Sequence, residues 1–331
     1  MEHKNKKMAL VGAGLIGAGF AVNALMNGWD VALRPGFEIE IEQTRARVDE
    51  GLRFFVEQGV LSEAEKEDAL GRMIVTTDLK TAVEGAGFIQ ESVPEKLELK
   101  RSVIAELEEY AAPDTVIATS TSGLLVTDIF AGAKHPERGV GGHPYHPVYL
   151  IPLVEIVKGE KTADPFVQKA KEFYSEIGKE PVVLNKEVVG FIANRFQSCI
   201  HRELVNLVMN GVCSVEDADK ALTYSVGLRW GLMGQALVLH LGAAPEGLSG
   251  FTRKYNMKPG AVNKRMDDLA KWGVFPENWD QVLYEGVLEE MAHRDPETGT
   301  DMESIETWRD QMLVELLRLH GKLPKKEASG I

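Results

Sequence analysis

The sequence predicts an α/β chain: a doubly wound sheet with helices on both faces, followed by an all-helical second domain. Three observations predict it. Short apolar runs alternate with charged amphipathic stretches through the first half of the chain. A Gly-x-Gly-x-x-Gly turn follows the first apolar run, and strand-like runs cease after Val189. With 331 residues, 44% of them hydrophobic, the chain is long enough to bury two cores.

In order, "MALV" reads as a short buried strand, "GAG" as a turn, "LIGAGFAVNALMN" as a helix stopped by Gly28, and "DVAL" as a second strand, together a βαβ unit. The opening "KNKKMALVGAGLIGAGFAVNALM" also has the outline of a signal peptide or anchor, lysines and then an apolar run. Four glycines within eight residues weaken that outline, and a further strand-like run stands where a cleavage site would. From Glu38 to Arg72 a charged helical pair interrupts the crossover before "MIVTT". Strand candidates then recur as "GFIQES", "TVIATS", "RGVGG", "LVEIV" and "PVVLN", with helices such as "EKLELKRSVIAELEEY" and "DPFVQKAKEFYSEIG" between several of them. "GFIANRFQSCIHRELVNLVMNG" opens the helical run. The expected domains are 1–187, with the helical insertion at about 38–72, and 188–331.

Asp and Glu outnumber Lys and Arg by 50 to 37, so the surface field opposes nucleic acid and anionic membrane. The only two cysteines, Cys199 and Cys213, fall in a helical stretch and are expected as buried thiols of a reducing compartment, the cytoplasm.

The glycine turn sits between a strand and a helix, the context in which Gly12, Gly14, Leu15, Ile16 and Gly17 would bring backbone N–H groups to a dinucleotide pyrophosphate. The unit is of the Rossmann type. An acid at the end of the second strand normally accepts the ribose hydroxyls of NAD, but here the strand ends in Arg34 and Pro35. Two readings stand. Arg34 pairs with the 2′-phosphate of NADP, or it is a solvated arginine while the loop backbone and Glu38 or Glu40 serve the ribose of NAD.

Oxidation of a carbinol needs a base near neutral pKa, and His143 in "GGHPYHP" is the candidate. Glu155, alone in an apolar strand, suits a carboxylate that fixes the imidazole tautomer. Ser122 and Asn194 offer neutral donors to a substrate oxygen; the plainer roles are an N-cap for Ser122 and a core amide for Asn194. The two histidines of "HPYH" lack further ligands nearby, and the prolines indicate a rigid turn, so no metal is expected.

The stretches "GFIQESVPEKLELK", "STSGLL", "HPYHPVYLIPLVEIV", "KEVVGFIANR" and "GLRWGLMG" resemble the 3-hydroxyacyl-CoA dehydrogenase superfamily, and most closely its subgroup acting on free acids. The resemblance implies His143 and Glu155 as base and orienter, and Ser122 and Asn194 on the reacting oxygen. It implies Glu91 near the nicotinamide, with Lys96 among the cofactor contacts, and a homodimer built by the helical domain. His146 stands where the family's "HPxNP" turn has Asn, which alters the polar contacts beside the catalytic histidine.

A coenzyme A ligand asks for lysines in the insertion, yet "EIEIEQ" and "SEAEKEDAL" are acidic, so a small free acid is expected. Arg229 could grip its carboxylate, and Trp230 with Tyr145 or Tyr149 could receive a quaternary ammonium; core packing for Trp230 and an ion pair for Arg229 are the plainer readings. The expected reaction is oxidation at C3 of a small hydroxy acid, L-carnitine first. The alternatives are L-gulonate, a 3-hydroxyacyl-CoA, or, from another class, a non-catalytic cofactor-binding protein of the crystallin kind.

Overall fold

The computed structural model describes residues 6–243, 245–255 and 268–324. The chain divides into two compact units, Met1–Asn194 with Leu317–Ile331, and Arg195–Leu316.

The first unit is built on one eight-stranded sheet of order β3-β2-β1-β4-β5-β6-β7-β8. Its strands are β1 (Lys7–Val11), β2 (Asp30–Arg34), β3 (Met73–Val75), β4 (Phe88–Glu91), β5 (Val116–Thr119), β6 (Gly139–Pro144), β7 (Leu153–Lys158) and β8 (Glu180–Leu184). Each apolar run predicted as a strand is one. Central strands β1, β4 and β5 are buried almost throughout, which is why they read as continuous apolar runs without alternation. Strands β1 to β6 pair in parallel, whereas β7 is antiparallel to β6 and β8 runs parallel to β7. Residues 145–152 between β6 and β7 are too few for a crossover helix, so the chain has to reverse there. The reversal sets His143 directly opposite Glu155.

Helix α1 (Leu15–Met26) is buried from Gly17 to Leu25. The insertion forms α2 (Ile41–Glu57) and α3 (Glu63–Gly71). Thr44, Val48, Gly51, Leu52 and Phe55 make the buried stripe of α2, a helical spacing that leaves its charges in solvent. Ser62 and Glu65 close a capping box at the start of α3, the Ser62 N–H donating to Glu65 Oε2 at 2.7 Å. Helices α4 (Leu79–Val83), α5 (Leu97–Leu107), α6 (Val126–Ile129) and α7 (Asp164–Glu176) complete the layers. Below the sheet Phe88 stacks on Phe173 at 3.8 Å and Trp29 meets Phe173 edge-on. Gln90 braces β4, β5 and β6 through the interior: its amide donates to Ser120 Oγ and the Gly142 carbonyl, and its oxygen accepts from the Tyr174 hydroxyl at 2.6 Å.

The closing residues return to this unit, a connection the apolar pattern does not announce. Arg318 donates to the carbonyl of Gln58, and Lys322 pairs with Glu180.

Among its described residues the second unit has helices and connecting turns and no strand. It contains most of α8 (Ala193–Met209), then α9 (Val215–Ala221), a π-helical turn over Leu222–Gly227, α10 (Leu228–Trp230), α11 (Gln235–Leu241), α12 (Gly247–Lys254), α13 (Trp279–His293) and most of α14 (Met302–Leu319). Val205 is the one residue that α8 buries. The expectation of buried thiols is therefore corrected: Cys199 lies exposed on α8, and Cys213 is half-buried in the turn before α9. No described helix is long and apolar enough to cross a membrane.

Candidate active site

The three loop glycines are required for three different reasons. Gly12 has φ +101°, and a Cβ there would lie 2.4 Å from the Ser92 carbonyl oxygen. A Cβ on Gly17 would lie 2.0 Å from the Gly12 oxygen, so the helix could not pack down on the turn. Gly14, the N-cap of α1, has nothing within 4 Å of that position. The protein leaves it bare without needing the space for itself. No side chain caps the N–H groups of the first turn, no acid lies in it, and Leu15 is 63% exposed. An open cradle at a helix N-terminus fits a dinucleotide pyrophosphate.

At the end of β2, Arg34 Nε donates to the Thr77 carbonyl at 3.2 Å, so its guanidinium is tied to the loop after β3. A carboxylate does stand at this corner. A 3₁₀ turn over Glu38–Glu40 folds Glu40 back, and its Oε2 accepts from the N–H groups of Gly36 and Phe37 at 2.9 and 3.2 Å. Arg47 on α2 reaches the Ala13 carbonyl at 3.4 Å.

His143 and Glu155 meet across the β6–β7 reversal, Nδ1 to Oε2 at 2.8 Å, both buried. Glu155 also accepts from the Tyr145 hydroxyl at 3.0 Å and from the N–H groups of Ile192 and Ala193 at 2.8 and 2.9 Å, the entry to α8. Gly190 and Phe191, both with positive φ, turn the chain into that helix, and the Phe191 ring lies 5.2 Å from the imidazole. Burial alone would raise the Glu155 pKa. The bonds from His143, Ala193, Ile192 and Tyr145 outweigh it and hold the carboxyl below its ordinary value. A carboxylate only accepts, so Nδ1 is the nitrogen that donates to Glu155; no described residue bonds Nε2.

Asn194 takes its place here through its backbone, whose N–H donates to the Tyr145 oxygen at 3.0 Å. Tyr145 thus spends its hydroxyl inside the site, bridging Glu155 and α8. Burial and the Glu155 charge push its pKa far up, so it remains a neutral donor. Its ring stands edge-on to His143, with 4.8 Å between centroids. His146 is exposed, and its bond to Pro147 is cis.

Ser122 is exposed in the loop after β5, and its neighbours fix the backbone beneath it. Glu95 Oε1 accepts from Thr121 Oγ1 at 2.6 Å and from the N–H groups of Ser122 and Gly123 at 2.9 and 3.0 Å. Sequence reasoning missed both Glu95 and the bridging role of Tyr145. For Glu95, its place four residues after the strand-ending Glu91, ahead of the α5 lysine, is the signal that was there to read. Glu91 itself is fully buried and bonded to Lys100, to Thr119 and to the Val93 N–H. Lys96 is exposed at the N-cap of α5. Tyr149 packs against Phe54 and Phe55.

Arg229 and Trp230 belong to the second unit. Both are exposed in α10, and the Trp230 indole N–H donates to Gln235 at 2.6 Å. Among the described residues no group of three or more His, Cys, Asp or Glu side chains could hold a metal ion.

Residues 7–188 match the family described as 3-hydroxyacyl-CoA dehydrogenase, NAD binding domain, and residues 190–286 match 3-hydroxyacyl-CoA dehydrogenase, C-terminal domain. An L-carnitine dehydrogenase of Streptomyces coelicolor is 37% identical over 98% of both chains. One from Oceanobacillus iheyensis is 40% identical over 73% of this chain and 78% of its own. Among solved structures, an NAD+-dependent dismutase, 5-formyl-3-hydroxy-2-methylpyridine 4-carboxylic acid 5-dehydrogenase, superposes with a TM-score of 0.76 at 26% identity, covering 96% of this chain and 97% of that one. FadB2 of M. tuberculosis gives 0.65 at 25% identity, covering 99% and 98%.

The glycine geometry makes a separable prediction. Gly14→Ala should unfold at nearly the wild-type temperature but bind the dinucleotide at least about tenfold more weakly, roughly 1.4 kcal/mol. Gly17→Ala should lose thermal stability outright. Calorimetric titration with a nicotinamide dinucleotide checks this, and undiminished binding by Gly14→Ala would remove the loop as the pyrophosphate cradle.

Proposed function

The chain belongs to the 3-hydroxyacyl-CoA dehydrogenase family, and on that premise we propose that it oxidises the C3 hydroxyl of a small free 3-hydroxy acid, L-carnitine to 3-dehydrocarnitine, with His143 as general base. The observation that carries the reading is the buried His143–Glu155 pair, with Nε2 left unbonded by any described residue. The substrate loses a proton from oxygen and a hydride from C3. The bound nicotinamide cofactor supplies the hydride acceptor. Nε2 of His143 takes the proton, and Glu155, across Nδ1–H, stabilises the imidazolium that results. Ser122 and the Asn194 amide are assigned to hold the reacting oxygen, as neutral donors suited to a carbonyl product. Glu95 acts one step back, positioning Ser122 by fixing its loop.

The cofactor proposed is NAD. A 2′-phosphate at the end of β2 would need the N–H groups of Gly36 and Phe37, and Glu40 already fills them with a negative charge. Arg34, the residue that would favour NADP, is held by Thr77. Glu40 in turn offers its second carboxylate oxygen to ribose hydroxyls.

Support for a free acid comes from the curated relatives named for L-carnitine and from the acidic face of α2 and α3, which repels the phosphates of coenzyme A. For the carboxylate and trimethylammonium of carnitine, Arg229 and the half-open Trp230 ring are the proposed recognition groups. The helical unit exposes Tyr224, Leu228, Leu232, Leu237 and Leu241, an apolar surface suited to a second copy of the chain.

With NAD, L-carnitine should give a rise in NADH absorbance. His143→Gln should lower turnover by about a thousandfold or more while binding NAD as before. Turnover of 3-hydroxybutyryl-CoA with none on free acids would replace the substrate assignment. Initial rates should favour NAD over NADP, and Glu40→Gln should narrow the preference by about tenfold; an NADP preference in the wild type defeats the Glu40 argument. Sedimentation equilibrium should give twice the 36.5 kDa chain mass, and a monomer at micromolar concentration would exclude the dimer.

A further inference from the structure

A cavity of about 290 Å³ lies wholly within the first unit, away from the site above. Its walls are the end of α1, the end of α2, the turn before β7, the residues leading into β8, and the returning segment 322–324. Most of the residues that line it are apolar, including Met26, Phe55, Leu61, Ile177 and Leu323. None of Gly12, Gly14, His143 or Glu155 contributes to it.

Two polar residues of the lining are incompletely served by the protein. Lys179 is 3% exposed, and its Nζ donates to the carbonyls of Val148 and Ile151 and lies 5.7 Å from the Phe20 ring centre. An ammonium has three N–H groups, and among the described residues no carboxylate meets this one. Burial without an acid is costly for a cation and draws its pKa down to about 7. Asn23, 8% exposed, donates from Nδ2 to the Tyr149 carbonyl at 3.3 Å, while its Oδ1 is buried with no hydrogen-bond partner among the described residues. Native interiors seldom leave such an atom unserved.

We propose that this cavity is a second ligand site, which takes a short-chain carboxylic acid bearing a hydroxyl or N–H group. The carboxylate supplies the acid that Lys179 lacks, the hydroxyl or N–H donates to Asn23 Oδ1, and the chain lies among the apolar walls. Lys322, at the rim, is paired with Glu180 and is not needed for the charge balance.

The full-length protein without cofactor, slightly below neutral pH, is heated with 3-hydroxyhexanoate, with hexanoate and with the neutral 3-hydroxyhexanamide. The hydroxy acid should raise the unfolding midpoint saturably by about 2–4 °C, hexanoate should do so less, and the amide not at all. Leu323→Trp, which fills the cavity, should abolish the shift and leave NAD binding intact; Lys179→Met should abolish it as well. His143→Ala should retain it. A shift that survives Leu323→Trp but disappears in His143→Ala places the acid at the catalytic pair and overturns the proposal. So does an equal shift from the amide, or no shift in the wild type. The acid-against-amide comparison uses the unaltered protein, so it stands even where Lys179→Met fails to fold.

Discussion

The first unit is arranged around the burial of one carboxylate. Glu155 is fully shielded from solvent, and a charge there survives only if each of its oxygens is bonded. The strand reversal between β6 and β7 brings His143 and Tyr145 to one oxygen. The positive-φ pair Gly190 and Phe191 brings the first N–H groups of α8 to the other. Removing a single partner of such a buried charge costs about 3–5 kcal/mol. The geometry is therefore held by folding itself, and the imidazole orientation follows from it.

The same device recurs at two other loops. Glu40 is seated on the N–H groups of Gly36 and Phe37 after β2, and Glu95 on those of Ser122 and Gly123 after β5. Each acid lies close by in sequence or across one strand pair, and each freezes a loop at the carboxyl end of a parallel strand, where ligands of doubly wound sheets bind. Backbone N–H groups are the donors in all three cases. Short of a change to proline they are not lost by a side-chain substitution, so the loops keep their shape whatever residue stands at a position such as Ser122.

What was legible in the sequence follows from range. Buried parallel strands betray themselves by apolar runs, and the glycine turn by its spacing, because both are local. The types of His143 and Glu155 were legible too: an unpaired acid in an apolar strand demands a partner. Their pairing was legible only in part. The short link over 145–152 implies a reversal, but the register that sets the two residues opposite one another depends on which face of each strand is buried. The sequence offers the Tyr145 ring to a quaternary ammonium, and its hydroxyl in addition bridges to a helix almost fifty positions later. No local pattern records that bond. The thiols misled for a related reason. Helical periodicity shows that α8 has an apolar stripe, but not that only Val205 is covered.

The environment of His143 is asymmetric, and this asymmetry favours proton transfer at one nitrogen. Nδ1 faces a carboxylate whose other bonds are complete, so that nitrogen cannot exchange partners during a reaction. Nε2 has no such commitment. In the proposed reaction the positive charge gained by the imidazole would form beside a negative charge whose desolvation was already met in folding. Little reorganisation is then left for the chemical step, which is the condition under which fixed charges stabilise a transition state better than water does. Tyr145 strengthens the arrangement by remaining neutral: a phenolate there would lose its donation to Glu155 and place a second negative charge beside it. In the proposed role of base, His143 needs no motion of its own to become competent, and specificity is left to the residues that bring the hydroxyl to Nε2.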